Sequence, residues 1–169
     1  MMANPLAGSR FYARLGNAFT RPAWSILPPP LGFGILTTTG RKTGKLRRQS
    51  VRAIRQGDRI VVVAMMGERA QWLRNIRTNP HVTLRLKDKT APGLAHEVLS
   101  DTERKWAADV YIGTTVPNDY LDYAVYEWGF PTRRKIQAAH RSWFEEGVPV
   151  IIEAQSTAAK GDKLGPGAI

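Results

Sequence analysis

The sequence predicts a mainly antiparallel β-barrel with helices inserted, an α+β chain rather than a doubly wound sheet. Three observations carry that expectation. Short β-branched runs recur between turns marked by glycine, proline and asparagine. The run Ile60-Val61-Val62-Val63-Ala64 is apolar without alternation, so it is a central strand covered on both faces. The order of elements is three strands, a helix, two strands, three helices and a strand, which is not the repeating strand–helix order of a parallel sheet.

Ile35–Thr39 and Arg47–Arg55 are the first two strands, and Gly57-Asp58 turns the second into Arg59–Met66. A short helix over Glu68–Thr78 points Trp72, Leu73 and Ile76 inward, and Asn79-Pro80 ends it because the residue before proline avoids the α region. His81–Lys87 alternates, with Val82, Leu84 and Leu86 on one face. Asp88-Lys89 turns the chain, and Leu94–Leu99 is the next strand. Ser100-Asp101-Thr102-Glu103 has the form of a capping box for a helix to Gly113, with Trp106, Val110 and Tyr111 inward. Further helices are expected over Asn118–Trp128 and Thr132–Glu146, each followed by glycine, before the strand Val148–Glu153. In the first of these, Tyr120 and Tyr123 share one face, while Leu121, Val125 and Trp128 form a second, core-facing one.

The 169 residues divide into one domain over 34–154, an N-terminal extension over 1–33 and a small, polar, glycine-rich tail over 155–169 that is expected to be disordered. In the extension, Phe11, Tyr12, Leu15 and Phe19 recur near helical spacing among arginines, before Pro28-Pro29-Pro30. That is either an amphipathic helix on a membrane surface or a helix packed on the protein itself. There are no cysteines, which excludes disulfides, thiolate zinc sites and thiol catalysis and fits a cytoplasmic protein. No apolar run reaches the ~18 residues of a membrane span, and no signal peptide is expected.

The formal charge of +11 asks for an anionic partner. Its densest part is Thr39-Gly40-Arg41-Lys42-Thr43-Gly44-Lys45-Leu46-Arg47-Arg48, a turn between two strands. From Arg41 to Arg59 eight cations face the single acid Asp58, an imbalance that a solvated hairpin does not require. Glycines allow backbone amides to approach an anion closely, threonines add neutral donors, and arginine adds a bidentate fork. Gly34 and Gly40 are one residue too far apart for a phosphate loop of the Gly-x-x-x-x-Gly-Lys type. The cations concentrate in one turn rather than interleaving with exposed aromatics, which disfavours nucleic acid. His81, His96 and His140 are scattered and read as surface or strand residues. No metal-ligand set, catalytic triad or carboxylate pair is present. An anion-binding loop without its own catalytic set either binds without chemistry or lends its site to a cofactor. Asn75, one turn from Trp72, could donate to a phosphate or carboxylate, and Met65-Met66-Gly67 could lie against a flat ring. Tyr120 and Tyr123 could donate a hydrogen bond or a proton.

Three segments together resemble the deazaflavin-dependent nitroreductase family: Leu36-Thr37-Thr38-Thr39-Gly40-Arg41-Lys42-Thr43-Gly44 with Arg47; Gly57-Asp58-Arg59 with Val61–Ala64; and Trp72-x-x-Asn75-Ile76-x-x-Asn79-Pro80-x-Val82. The resemblance covers residues 35–153. It implies a split β-barrel like those that bind FMN, a homodimer, and coenzyme F420, an 8-hydroxy-5-deazaflavin hydride carrier. It implies that Arg41, Lys42 and Arg47, with Thr39 and the Thr43-Gly44 backbone, hold the coenzyme's phosphate and glutamate tail. Ala64, Met65 and Met66 would lie along the ring, with Trp72 and Asn75 beside it, and Tyr120 and Tyr123 would serve a quinone, enone or nitro acceptor. The chain departs from the pattern at Met65-Met66, where the family often has Ser and a Gly-Gly turn, and at Leu73, where a second tyrosine is common. The charge of the loop leaves two alternatives open: an FMN-dependent oxidoreductase on the same barrel, and a non-enzymatic protein that binds an anionic ligand or membrane surface.

Overall fold

The computed structural model describes residues 28–126 and 130–155. Six antiparallel strands close a barrel in the order β1-β2-β3-β6-β5-β4. They are β1 Phe33–Thr39, β2 Leu46–Gln56, β3 Arg59–Ala64, β4 His81–Arg85, β5 Thr90–Glu97 and β6 Val148–Ala154. A 3-10 turn at Gly67–Arg69 and helix α1 (Gln71–Thr78) join β3 to β4. Helices α2 (Asp101–Gly113), α3 (Pro117–Tyr126) and α4 (Arg133–Glu146) join β5 to β6. The fold is the expected one, and the element order matches throughout.

β3 shows why the barrel needs its helices. Ile60, Val62 and Ala64 point into the barrel with Leu36, Val51, Val82, Leu84, Ala95, Val150 and Ile152. The alternate residues Val61 and Val63 point outward and are covered by Ala107, Val110, Tyr111 and Phe144 of α2 and α4. A strand buried on both faces needs no polar alternation, which is the pattern its sequence shows. Helix α1 stoppers one end of the barrel: Leu73 and Ile76 join the interior cluster, and Trp72 packs half-buried beside it.

Several boundaries differ from the sequence expectation. The helix expected from Glu68 begins at Gln71, because Ala70 is extended (φ −67°, ψ 117°) and separates it from the 3-10 turn. β3 ends at Ala64 and β4 at Arg85, short of Met66 and Lys87. β5 starts at Thr90 rather than Leu94; Pro92 and Gly93 obscure it, yet both pair in register with β4. Gly93 is required there, since a Cβ would stand 2.8 Å from the Glu153 carbonyl oxygen. The cap at Ser100 falls where expected, its hydroxyl accepting from the Glu103 amide. Thr132, read as the first residue of its helix, is instead the N-cap of α4 and accepts from the Lys135 amide. The N-terminal amphipathic segment, Trp128 and most of the tail lie outside the described residues.

β2 and β3 are paired only from Ala53↔Val62 to Gln56↔Arg59. β2 continues backward from Ala53 to Leu46 on β1 alone, and β3 continues through Val63 and Ala64 on β6 alone. The two strands therefore part, and the split opens toward the barrel end that carries the 40–45 hairpin and α1. This split positions the site.

Candidate functional site

The β1–β2 hairpin closes on itself. The Gly40 amide donates to the Lys45 carbonyl at 2.9 Å, and the Thr43 and Gly44 amides donate to the Gly40 carbonyl at 3.2 and 2.8 Å. The Lys45 amide reaches the Thr43 hydroxyl at 3.4 Å. Gly44 takes φ 66°, the left-handed conformation that favours glycine. These amides close the turn rather than converge on an open nest. The ligand-facing capacity of the hairpin is thus carried by its side chains.

Arg41 ties the hairpin to α1. Its amide and one guanidinium nitrogen donate to the Asn75 Oδ1 at 3.2 and 3.3 Å. Both terminal guanidinium nitrogens also donate to the Gln71 Oε1, at 3.1 and 3.2 Å. Asn75 is buried on the inner side of α1 and donates its own amide to the Thr38 hydroxyl at 3.1 Å. Gln71, Asn75 and Thr38 are all neutral, so the guanidinium is held in place without a counter-charge among the described residues. Among the described residues no ion pair engages Arg41, Lys42, Lys45 or Arg47. The pairs instead join Arg52 to Asp119, Arg59 to Glu103 and Glu153, and Arg77 to Glu68 and Glu97, with His96 beside Glu103 and His140 beside Asp119.

The register places Arg47 opposite Thr38 in the exposed first turn of β2, and Lys42 on the exposed tip of the hairpin. Thr39 ends β1 half-buried. Ala64 ends β3 buried, and Met65 and Met66 follow it at 52% and 40% exposure, unusual for methionines inside one domain. Gln71 and Asn75 thus bring the cationic hairpin against the helix that follows Met65 and Met66 at the mouth of the split. Thr39, Arg41, Lys42, Thr43, Gly44, Arg47, Ala64, Met65, Met66, Trp72 and Asn75 all gather at this end of the barrel.

The tyrosines belong to a different layer. Arg52, the first β2 residue beyond the last β2–β3 pair, donates to both Asp119 carboxylate oxygens at 3.1 and 3.2 Å. It also donates to the Tyr111 and Thr114 carbonyls at 2.9 and 2.7 Å, and its guanidinium stacks over the Tyr111 ring at 4.5 Å. The Asp119 carboxylate accepts from the Val116 amide at 2.8 Å, closing the first turn of α3. At the other end of α4, Gly147 lies so close to Val63 and Ala64 that a Cβ would meet them at 2.7 and 2.9 Å. Helices α3 and α4 are therefore fastened across the place where β2 and β3 part. Tyr123 lines a small cavity between α3 and α4 with Asp119, Asp122, His140 and Trp143. Tyr120 sits on the outer side, 38% exposed. No described hydrogen bond joins either tyrosine to the hairpin.

Three findings correct or extend the sequence reading. Leu121, expected on the core face of α3, is 62% exposed, and Asp119 is buried in its stead. His140, read as a surface or strand residue, lies in helix α4 and is 1% exposed with its Nε2 3.6 Å from Asp119. Arg52 and Asp119 were not singled out by sequence. The available signal was that Arg52 falls in the apolar half of β2 beside Val51, Ala53 and Ile54, where a cation needs a carboxylate. Burial opposes ionisation of Asp119, but the His140 Nε2 at 3.6 Å, the hydrogen bonds and charge of Arg52 and the Val116 amide outweigh it and hold the carboxyl at about 2.

No group of three or more metal-ligating side chains occurs among the described residues, and none of their helices is long and apolar enough to cross a membrane. The family model for F420H(2)-dependent quinone reductase matches residues 25–136. An F420-H2 dependent reductase (FDR-A) of solved structure is 20% identical, with a TM-score of 0.51 over 76% of this chain and 99% of that one. A structure described as a domain-swapped dimer is 22% identical, with a TM-score of 0.51 over 83% of this chain and 92% of its own. At such identities these two structures bear on the fold alone.

Proposed function

The chain belongs to the F420H(2)-dependent quinone reductase family, and on that premise we propose that the hairpin and the split beside it form the coenzyme site, with the α3–α4 face receiving a quinone. The protein is an F420-dependent reductase, so of the two cofactors its charge left open the coenzyme is F420 rather than FMN. When bound, F420H2 supplies the hydride.

The observation that carries the site assignment is the state of Arg41: held by Gln71 and Asn75, both neutral, and matched by no carboxylate among the described residues. A cation fixed in this way is pre-organised for an anion that arrives with the ligand. Arg41, Lys42 and Arg47 bind the phosphate and glutamate tail, with the Thr39 and Thr43 hydroxyls as neutral donors. Ala64, Met65 and Met66 border the ring, and Trp72 backs that wall. Asn75 positions Arg41. Charge-assisted hydrogen bonds are worth about 1.5–3 kcal/mol each. Three of them account for much of the ~8 kcal/mol of micromolar binding before ordering costs are subtracted. Tyr123 supplies a proton to the acceptor, and Tyr120 lines its entrance. Enones and nitro compounds need the same hydride and proton and are the other acceptor classes to assay. The neighbour described as a domain-swapped dimer supports a homodimer, measurable by light scattering. The aromatic–arginine segment within residues 1–33 is the part to delete before a vesicle sedimentation test of peripheral membrane contact.

Fluorescence titration with oxidised F420, FMN and NADPH tests the site. F420 should bind best, and Arg41→Ala with Lys42→Ala should weaken it at least about tenfold and flatten its salt dependence. Unchanged affinity in that double variant removes the hairpin from the site. Tyr123→Phe should lower turnover more than coenzyme affinity, and equal steady-state rates would remove its role as proton donor.

A further inference from the structure

We propose that the cavity between α3 and α4 is a proton-loading site, in which one water links the Asp122 carboxyl, the orphaned Nδ1 of His140 and the Tyr123 hydroxyl. The proposal rests on the reading above that Tyr123 faces the acceptor. The cavity leaves about 10 Å³ for the centre of a water molecule, room for about one. Asp122, Tyr123 and His140 all line it. His140 is 1% exposed and its Nδ1 has no partner among the described residues. A buried ring nitrogen without a partner costs free energy that a bridging water recovers. Asp122 has no hydrogen bond or ion pair among the described residues, and Arg52 is already engaged by both oxygens of Asp119.

Among the described side chains, few charged and titratable groups face Asp122. On its own helix they are Asp119 and Tyr123; from α4 comes His140, from β2 Arg52, and Tyr111 of α2 lies behind His140 at 5.9 Å between rings. Burial first, then the charge of Asp119, push the Asp122 carboxyl up to about 6 against the pull of Arg52. Burial pushes the His140 imidazole down, against the pull of the Asp119 carboxylate 3.6 Å from its Nε2. A neutral His140 that turns Nε2–H toward Asp119 leaves Nδ1 as an acceptor. The water then donates to Nδ1, accepts from the Asp122 O–H and lies beside the phenol.

The proton balance follows. An acceptor that has taken a hydride carries the added electron pair and one negative charge. The Tyr123 O–H bond breaks as a new O–H bond forms on the acceptor, giving the neutral product. The phenolate takes a proton through the water from the Asp122 carboxyl, because a phenolate is a stronger base than a carboxylate. Solvent then reprotonates Asp122, and the proton that accompanies oxidation of the coenzyme returns to solvent. Asp122 acts through Tyr123 and does not touch the acceptor, so it is a positioning and supply residue.

The test uses protein labelled with carboxyl-¹³C aspartate, together with turnover of menadione by F420H2 against pH. Wild type should show one aspartate titrating near pH 6 that is missing from Asp122→Asn. Turnover should fall on the alkaline side of that value in wild type. Asp122→Asn should cut kcat at pH 6 about tenfold and flatten that descent, Asp122→Glu should restore it, and F420 affinity should stay within twofold in both. If Asp122→Asn does not fold, Asp122→Glu alone makes the same spectral assignment. No aspartate titrating above pH 5, or an Asp122→Asn profile that keeps the wild-type descent, overturns the relay. Wild type that binds no F420 overturns the site reading beneath it, and the labelled titration needs no coenzyme, so the two failures are distinguishable.

Discussion

Asp119→Asn is the substitution that most directly tests how the helices α3 and α4 are fastened to the barrel. The Arg52 and Asp119 side chains are 4% and 2% exposed, and the carboxylate is the only counter-charge Arg52 has among the described residues. Asparagine keeps the shape but removes the charge, leaving a buried guanidinium with the Tyr111 and Thr114 carbonyls. Breaking a buried pair in this one-sided way costs about 3–5 kcal/mol. Replacing both partners together, as Arg52→Met with Asp119→Leu, should recover most of that, because no uncompensated charge remains.

The pH dependence supplies a second arm with a definite sign. The Asp119 carboxyl lies at about 2 in the folded protein against an ordinary 3.8. A folded value below the unfolded one stabilises fully above the unfolded value and is lost as pH falls through the folded value. The separation corresponds to about 2 kcal/mol, of which about 1 should be gone by pH 3. Urea denaturation followed by tryptophan fluorescence at pH 7, 5 and 3 measures both arms. The stability gap between wild type and Asp119→Asn should be at least 3 kcal/mol at pH 7 and narrow by about 1 kcal/mol at pH 3. A gap under 1 kcal/mol at pH 7, or one that does not change between pH 5 and 3, refutes the reasoning.

Two further outcomes follow from the geometry. Asn75→Ala removes the acceptor of the Arg41 amide and the donor to Thr38, so it should destabilise the protein by about 1–3 kcal/mol and weaken F420 binding with little change in salt dependence. Equal coenzyme affinity in calorimetry would show that Arg41 does not need this anchor. Gly147→Ala places a Cβ 2.6 Å from the Trp143 carbonyl oxygen and 2.9 Å from that of Ala64, both backbone atoms that cannot swing aside. It should lower stability by about 1–3 kcal/mol in thermal denaturation, and an unshifted midpoint would mean that α4 does not press on the split.

Most of the fold was legible because its strongest signals are local. The unbroken apolar run of β3, the alternation from Val82 to Leu84 and the cap at Ser100 depend on a few neighbouring residues each, and the structure keeps them all. Thr90–Gly93 was not legible, since proline and glycine lower strand propensity and only the tertiary pairing with β4 and β6 overrides it. The cationic hairpin was legible as a composition, but the use of its amides was not: sequence cannot say whether Gly44 opens a nest or closes a turn. The Arg52–Asp119–His140 cluster escaped altogether. Its members are 67 and 21 residues apart in the chain, and no helical or strand period connects them. Such a cluster becomes visible only when the question is which charges lie in apolar segments, a question of pairing rather than of pattern.

The pairing of the arginines also explains how a basic protein aims its charge. Arg52, Arg59 and Arg77 are each matched by carboxylates, and each fastens one element to another: β2 to α3, β3 to α2 and β6, α1 to the 3-10 turn and β5. Arg41 performs the same mechanical task between the hairpin and α1 using only amide oxygens. A glutamate at position 71 would hold it more tightly but would cancel the charge, and the hairpin would lose its attraction for a phosphate or a glutamate tail. Neutral acceptors fix the geometry and leave the electrostatic potential for the ligand. On the proposed reading of the site, the choice of glutamine and asparagine over acid at residues 71 and 75 is what separates a structural arginine from a binding one in this fold.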